Sequence, residues 1–162
     1  ETVTFTADKF QKLLGVKLKG KPSSWFGAVT YTTGGGVDLL QTREIGTLRS
    51  ILQTIANPRQ DIPLLSLLAS PVFGFTADEL ALIRSKQKTG TIYDALCLSE
   101  SEKASSFLKI LHILRKEARM ASISGLLESC FRLTKLDSVY GAMPDGELRQ
   151  NNIQLFYHLD GK

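Results

Sequence analysis

The chain has 162 residues, enough for one domain with a substantial core. With 43% hydrophobic and 22% charged residues, it is excluded from the intrinsically disordered class. A formal net charge of +4 admits a polyanionic partner without requiring one, because a mixed-sign solvated surface gives the same sum.

The first forty residues hold six of the thirteen glycines and runs rich in Thr and Val. Lys9 to Gly15 reads as a short helix, Lys17, Lys19 and Lys21 alternate on a basic segment, and β-branched Ala28 to Thr32 reads as a strand. Gly34-Gly35-Gly36 then breaks the chain.

From Thr42 onward the pattern is helical. Ile45, Leu48, Ile51, Leu52 and Ile55 repeat with a 3.6-residue period, with Thr42 as N-cap and Asn57-Pro58 as stop. A leucine-rich helix is expected from about Ile62 to Ala69, with Asp61 capping it and Pro63 tolerated in its first turn. It halts at Ser70-Pro71, and Val72-Phe73-Gly74-Phe75 feeds a capping box over Thr76 to Glu79. The helix from Ala77 buries Leu80 and Ile83 and frays at Lys86 to Gly90. A short helix over Ile92 to Leu98 follows, capped by Thr91.

A second capping box, Ser99 to Glu102, is expected to open the longest helix, running to about Met120. Its apolar stripe is Ala104, Phe107, Leu108, Leu111, Leu114 and Ala118. Ser122 or Ser124 caps a further helix with Ile123, Leu126, Leu127, Cys130 and Phe131 inward. Tyr140 to Gly146 reads as a loop. A last helix, Glu147 to about His158, carries Leu148, Leu155, Phe156 and Leu159. The fold class is thus mainly α, with a short β- and loop-rich N-terminal segment.

Chemistry is sparse. Gly34-Gly35-Gly36 is followed by Val37-Asp38, not by the Lys-Ser/Thr of a nucleotide-phosphate loop. Cys97, His112, Cys130 and His158 are too scattered for a metal site, and no nucleophile sits in a recognisable context. The expectation is no catalytic residue, no metal and no cofactor in this chain. The two cysteines make no disulfide framework and suit a reducing compartment, each packed as a small hydrophobe. No apolar run nears the ~20 residues of a membrane span. The N-terminus lacks a signal peptide's features, and the missing initial Met suggests an excised piece.

One feature fits a ligand. A glycine turn feeding a helix start suits a phosphate, through free backbone N–H groups of residues 77 to 79 and the helix dipole. The candidate DNA-backbone residues are Ser70, Phe73, Gly74, Phe75 and Thr76, with Arg84, Lys86 and Lys88 extending the positive field. A plain helix–loop–helix corner, with the phenylalanines plugging the core, is the competing reading. Arg115, Lys116 and Arg119 form a second basic patch that complementation of a helix dipole would explain.

Several landmarks together carry a resemblance. They are Glu44-Ile45, Ile55-Ala56-Asn57-Pro58, Asp61, Ser70-Pro71-Val72-Phe73-Gly74-Phe75 and Glu79-Leu80-Ala81-Leu82-Ile83-Arg84. Tyr93-Asp94-Ala95-Leu96 and the run Met143-Pro144-Asp145-Gly146-Glu147-Leu148-Arg149-Gln150-Asn151-Asn152 follow. From about Thr32 to Leu159 the chain resembles superfamily 1 DNA helicases of the UvrD/PcrA/Rep type, and more closely the AddA component of the bacterial AddAB helicase–nuclease. The resemblance implies the 2B accessory subdomain over 41–162, with 1–40 as the end of the second motor domain or a linker.

It also implies a parent that is an ATP-dependent DNA helicase and exonuclease acting in double-strand-break repair. ATP and Mg would be held elsewhere in that parent, an AddB-type subunit would be its partner, and the bacterial cytoplasm its location. In related helicases the glycine turn touches the backbone of duplex DNA. That role is carried onto Phe73, Gly74, Phe75 and Thr76. Two departures stand out: Ala69 replaces a frequent Arg before Ser-Pro, and Leu39-Leu40 replaces an aromatic pair. The rival expectation is a protein-interaction module that docks on the partner subunit or motor domains without DNA affinity of its own.

Overall fold

The computed structural model describes residues 2–3, 29–30 and 39–158. Thr2–Val3 (β1) and Val29–Thr30 (β2) form an antiparallel pair, with Thr2 opposite Thr30 and Val3 opposite Val29. The expected strand around Ala28 is therefore present in part. The expected helix at Lys9 to Gly15, the basic alternation and Leu159 lie outside the described residues.

A 3₁₀ turn at Leu39–Gln41 leads into eight α-helices among the described residues, so the fold is mainly α. These are α1 (Arg43–Ala56), α2 (Asp61–Leu68), α3 (Ala77–Lys86), α4 (Ile92–Cys97), α5 (Glu102–Glu117), α6 (Ile123–Thr134), α7 (Leu136–Gly141) and α8 (Gly146–His158).

Helix α1 is the hub. Its apolar face, Ile45, Leu48, Ile51, Leu52 and Ile55, is buried, and the helix packs against α2, α5, α7 and α8. Most of the stabilisation comes from this burial, at roughly 25 cal/mol per Å² of apolar surface removed from water. Its polar residues are buried too. Glu44 is 1% exposed and accepts from Arg149 Nη1 at 2.9 Å and Asn152 Nδ2 at 2.8 Å, both on α8. Thr47 Oγ1 and the fully buried Tyr140 hydroxyl of α7 share a hydrogen bond of 2.6 Å. Two polar contacts therefore tie the first helix to the last two.

Several local expectations are corrected. Thr42 stands at the N-cap position of α1, but its hydroxyl donates to the Leu39 carbonyl and caps nothing. Asp61 is the first residue of α2, not its cap, and its carboxylate accepts from the Ile92 amide at the start of α4. The long helix is capped by Ser101, while Ser99 Oγ accepts from the Ser101 amide. The helix also ends at Glu117, with turn residues up to Met120.

Tyr140 closes a helix that the loop reading missed, because α7 is only six residues long. On α8 the buried residues are Ile153 and Phe156, while Leu148 and Leu155 are exposed. Contact with α1 selects the face that carries Arg149, Asn152 and Ile153. Cys130 packs in the core as expected, and burial pushes its thiol up to about 12, with Glu117 adding to it. Cys97 is exposed instead.

The α7–α8 corner is tight. A Cβ on Gly146 would collide with the Gly141 carbonyl, and Asp145 just before it is left-handed at φ 59°. Only glycine fits where the two helices meet so closely.

The Glu44–Arg149 contact has a measurable consequence. Arg149→Met strands a buried carboxylate and lowers stability by about 3–5 kcal/mol, whereas Glu44→Leu/Arg149→Met together recovers part of that loss. Urea denaturation of both single variants and the double variant reads the coupling; additive losses would mean that the two side chains do not act as a unit.

Candidate functional site

The turn between α2 and α3 is built mostly from its own backbone. Ser70 O accepts from the Gly74 amide at 2.7 Å, and Leu68 O accepts from the Phe75 amide at 2.9 Å. Ser70 Oγ donates to Leu67 O at 2.6 Å, and the residue is buried. These bonds consume the last carbonyls of α2, which the helix itself leaves without partners.

Gly74 is exposed with φ +61°, and a Cβ built on it meets nothing within 4 Å. Its glycine therefore answers to backbone conformation and not to internal packing, and the turn offers bare backbone to solvent.

The aromatic residues on either side face inward. Phe75 is 5% exposed. Phe73 is half-buried and meets the Phe107 ring edge-on, with centroids 4.8 Å apart at 85°. Both rings brace the core, so neither is presented for base stacking. The side chains of Ser70 and Phe75 likewise have no free surface for a ligand.

At the start of α3 the capping box is complete. Thr76 Oγ1 accepts from the Glu79 amide at 3.2 Å, and Glu79 Oε2 accepts from the Thr76 amide at 2.7 Å. This corrects the expectation that amides 77 to 79 are all free, since Glu79 N–H is spent on the cap. Among the described residues, the Ala77 and Asp78 amides remain without a protein acceptor. The Thr76 hydroxyl also keeps its proton to donate.

Sequence reasoning missed Lys103. From the first turn of α5 its Nζ donates to Gly74 O at 2.7 Å and to Glu79 Oε2 at 2.9 Å, and it lies 4.9 Å from the centroid of the Phe75 ring. One ammonium thus ties turn, cap and aromatic together across 29 residues of sequence. Nothing local in the sequence announces it; only the packing of α5 beside the turn does.

The other candidate cations divide. Arg84 Nη1 donates to Gly90 O at 2.9 Å, closing the loop after α3. Lys86 and Lys88 are exposed, and no ion pair holds them among the described residues. The ten residues of α3 rise about 1.5 Å each, so Lys86 stands about 14 Å from the glycine turn. The turn and the lysines would meet different phosphates of a backbone, never one.

With this geometry in view, the likeness to known proteins is specific. The chain is 38% identical over 139 residues to the AddA-type ATP-dependent helicase/nuclease of Carboxydothermus hydrogenoformans, covering 82% of this chain and 12% of that protein. It is 43% identical over 129 residues to the protein of the same name from Acetivibrio thermocellus, covering 75% of this chain and 10% of that protein. The chain belongs to the AddA family. No family model matches it. It spans about a tenth of the length of the curated relatives it matches.

Among the described residues of this AddA segment, no group of His, Cys, Asp and Glu could hold a metal ion. No helix among them is long and apolar enough to cross a membrane.

Lys103 leaves a signature in Glu79. Its hydrogen bond, followed by that of the Thr76 amide, holds the Glu79 carboxyl below its ordinary value of 4.5. A carboxyl that titrates lower when folded contributes stability above the unfolded value, and loses it as pH falls through the folded value. The lock therefore holds at neutral pH and opens only in acid below 4.5. A Glu79 side-chain NMR titration should show the lowered midpoint, and Lys103→Met should move it back up. An unchanged midpoint in that variant would mean that Lys103 does not set it.

Proposed function

We propose that this segment is the non-catalytic 2B accessory subdomain of an AddA-type helicase–nuclease, with residues 41–162 as the subdomain and 1–40 as the end of the second motor domain or a linker. Its task is to bear on the backbone of duplex DNA while motor domains elsewhere in the parent pull one strand. The parent is an ATP-dependent helicase and exonuclease in the bacterial cytoplasm, using ATP and Mg. It pairs with an AddB-type partner and acts in double-strand-break repair.

The observation that carries the duplex reading is Gly74, exposed, left-handed and open on its Cβ side. Phosphate oxygens gain the Ala77 and Asp78 amides and the Thr76 hydroxyl there, with Lys103 alongside and Lys86 and Lys88 further along the backbone. Asp78 and Glu79 in the same turn oppose an anion, so affinity should be modest and should rely on several contacts at once. Phe73 and Phe75 support the turn from beneath; Ser70 shapes it, and Arg84 closes the loop that carries Lys88.

Fluorescence anisotropy of the 162-residue chain with a blunt duplex and a tailed duplex, at low and moderate salt, tests this. Gly74→Asp and Lys86→Glu/Lys88→Glu should each weaken duplex binding by about tenfold and flatten its salt dependence, each lost phosphate contact lowering the slope by about 0.9. Wild-type affinity in both variants would refute the duplex role.

Exposed apolar side chains favour a second role for the same segment. Ile62, Leu82, Met120, Leu148 and Leu155 stand in solvent at 82%, 67%, 93%, 61% and 47%. Leu148 and Leu155 lie seven residues apart on α8, two turns along one face. Such a face suits docking onto motor domains or a partner protein. Sedimentation velocity should show concentration-dependent self-association that Leu148→Lys/Leu155→Lys abolishes; a monomer at all concentrations would speak against this face as a docking surface.

A further inference from the structure

A cleft of about 1020 Å³ runs between α4 and the C-terminal half of α5, on a different flank of α5 from Lys103. Its floor follows a helical spacing. Lys109, His112 and Lys116 stand at i, i+3 and i+7, with Arg115 and Arg119 on the same side. Tyr93 and Cys97 of α4, with Leu108, form the wall.

No acidic side chain lines this cleft among the described residues. The acids of α5 are elsewhere: Glu102 lies in its first turn, and Glu117 faces α6, 3.6 Å from Arg132. No ion pair is formed by Lys109, Arg115, Lys116 or Arg119 among the described residues. The dipole of α5 accounts for cations in its last turn only, and Lys109 lies eight residues before the end. A row of unpaired cations with no counter-charge costs self-repulsion, and an anion with repeated charges would relieve it.

We propose that this cleft binds the phosphodiester backbone of a single nucleic-acid strand. Lys109 and Lys116 stand about 10 Å apart along the helix at 1.5 Å per residue, so they meet successive phosphates and not one. The groove is open along its length, which suits a strand lying in it, whereas a duplex would touch only its rims. The exposed part of Tyr93 offers a ring to a base, its guanidinium neighbour Arg59 lying 5.8 Å from the ring centroid. This site is separate from the Gly74 turn and does not depend on that turn touching a duplex.

The test is anisotropy of the full 162-residue chain with a labelled oligo-thymidine strand of about twenty nucleotides, between about 50 and 200 mM salt (the range where counterion release dominates). Lys109→Ala/Lys116→Ala should weaken binding by about tenfold or more at the lower salt, and reduce the slope of log K against log salt by about 1.4. Both side chains are exposed, so the far-UV circular dichroism should be unchanged. Lys86→Glu/Lys88→Glu should leave binding of the single strand near wild type while weakening that of a duplex.

If the Lys86/Lys88 pair abolishes strand binding and the Lys109/Lys116 pair does not, the cleft is not the site, and the turn alone carries DNA contact. If the wild-type chain fails to bind the strand, or poly-glutamate of equal charge displaces it at equal concentration, the cleft is not a nucleic-acid site.

Discussion

The rest of the fold depends on the Glu44 carboxylate, which lies almost wholly out of water at the start of the central helix. Burying an ionised carboxylate costs several kcal/mol unless its charge and lone pairs are met. Here Arg149 and Asn152 meet them from the last helix, more than a hundred residues away in sequence. This requirement fixes the rotation of α8 about its axis. Ile153 and Phe156 then fall into the core while Leu148 and Leu155 face solvent. Thr47 and Tyr140 apply the same logic to α7. Gly146 lets α7 and α8 come close enough for both contacts to form together.

The α2–α3 turn is organised differently. Its polar groups are satisfied locally, by Ser70, by the capping box and by one imported ammonium from Lys103. The result is a rigid projection whose exposed element is glycine backbone. Rigidity and exposure together are what contact with a sugar–phosphate surface asks for, since little conformational entropy is left to lose on binding. The same self-sufficiency limits its affinity, because Glu79 already occupies part of the helix start.

The polar residues through which the family was legible mostly serve the fold. Glu44, Arg149 and Asn152 close the first helix on the last; Asp61 and Ile92 join α2 to α4; Asp94 accepts both short contacts from Arg59. Ser70 ends α2. These landmarks therefore report architecture. Gly74 is the exception, because no internal contact requires its lack of a side chain.

Much of this protein was determined by local sequence. Helix extents, the Thr76 and Thr91 caps, the apolar stripes of α1 and α5 and the left-handed glycine turn follow from 3.6-residue periodicity, capping chemistry and glycine's freedom at positive φ. All of these act within a few residues. Tertiary structure alone decided the face of α8, the burial of Tyr140, the redirection of Asp61 from cap to tether and the placing of Lys103 beside Gly74. It also decided which cations stay unpaired on the flank of α5. Each of these depends on which distant groups must satisfy a buried charge or an unpaired backbone donor, and no local pattern encodes that.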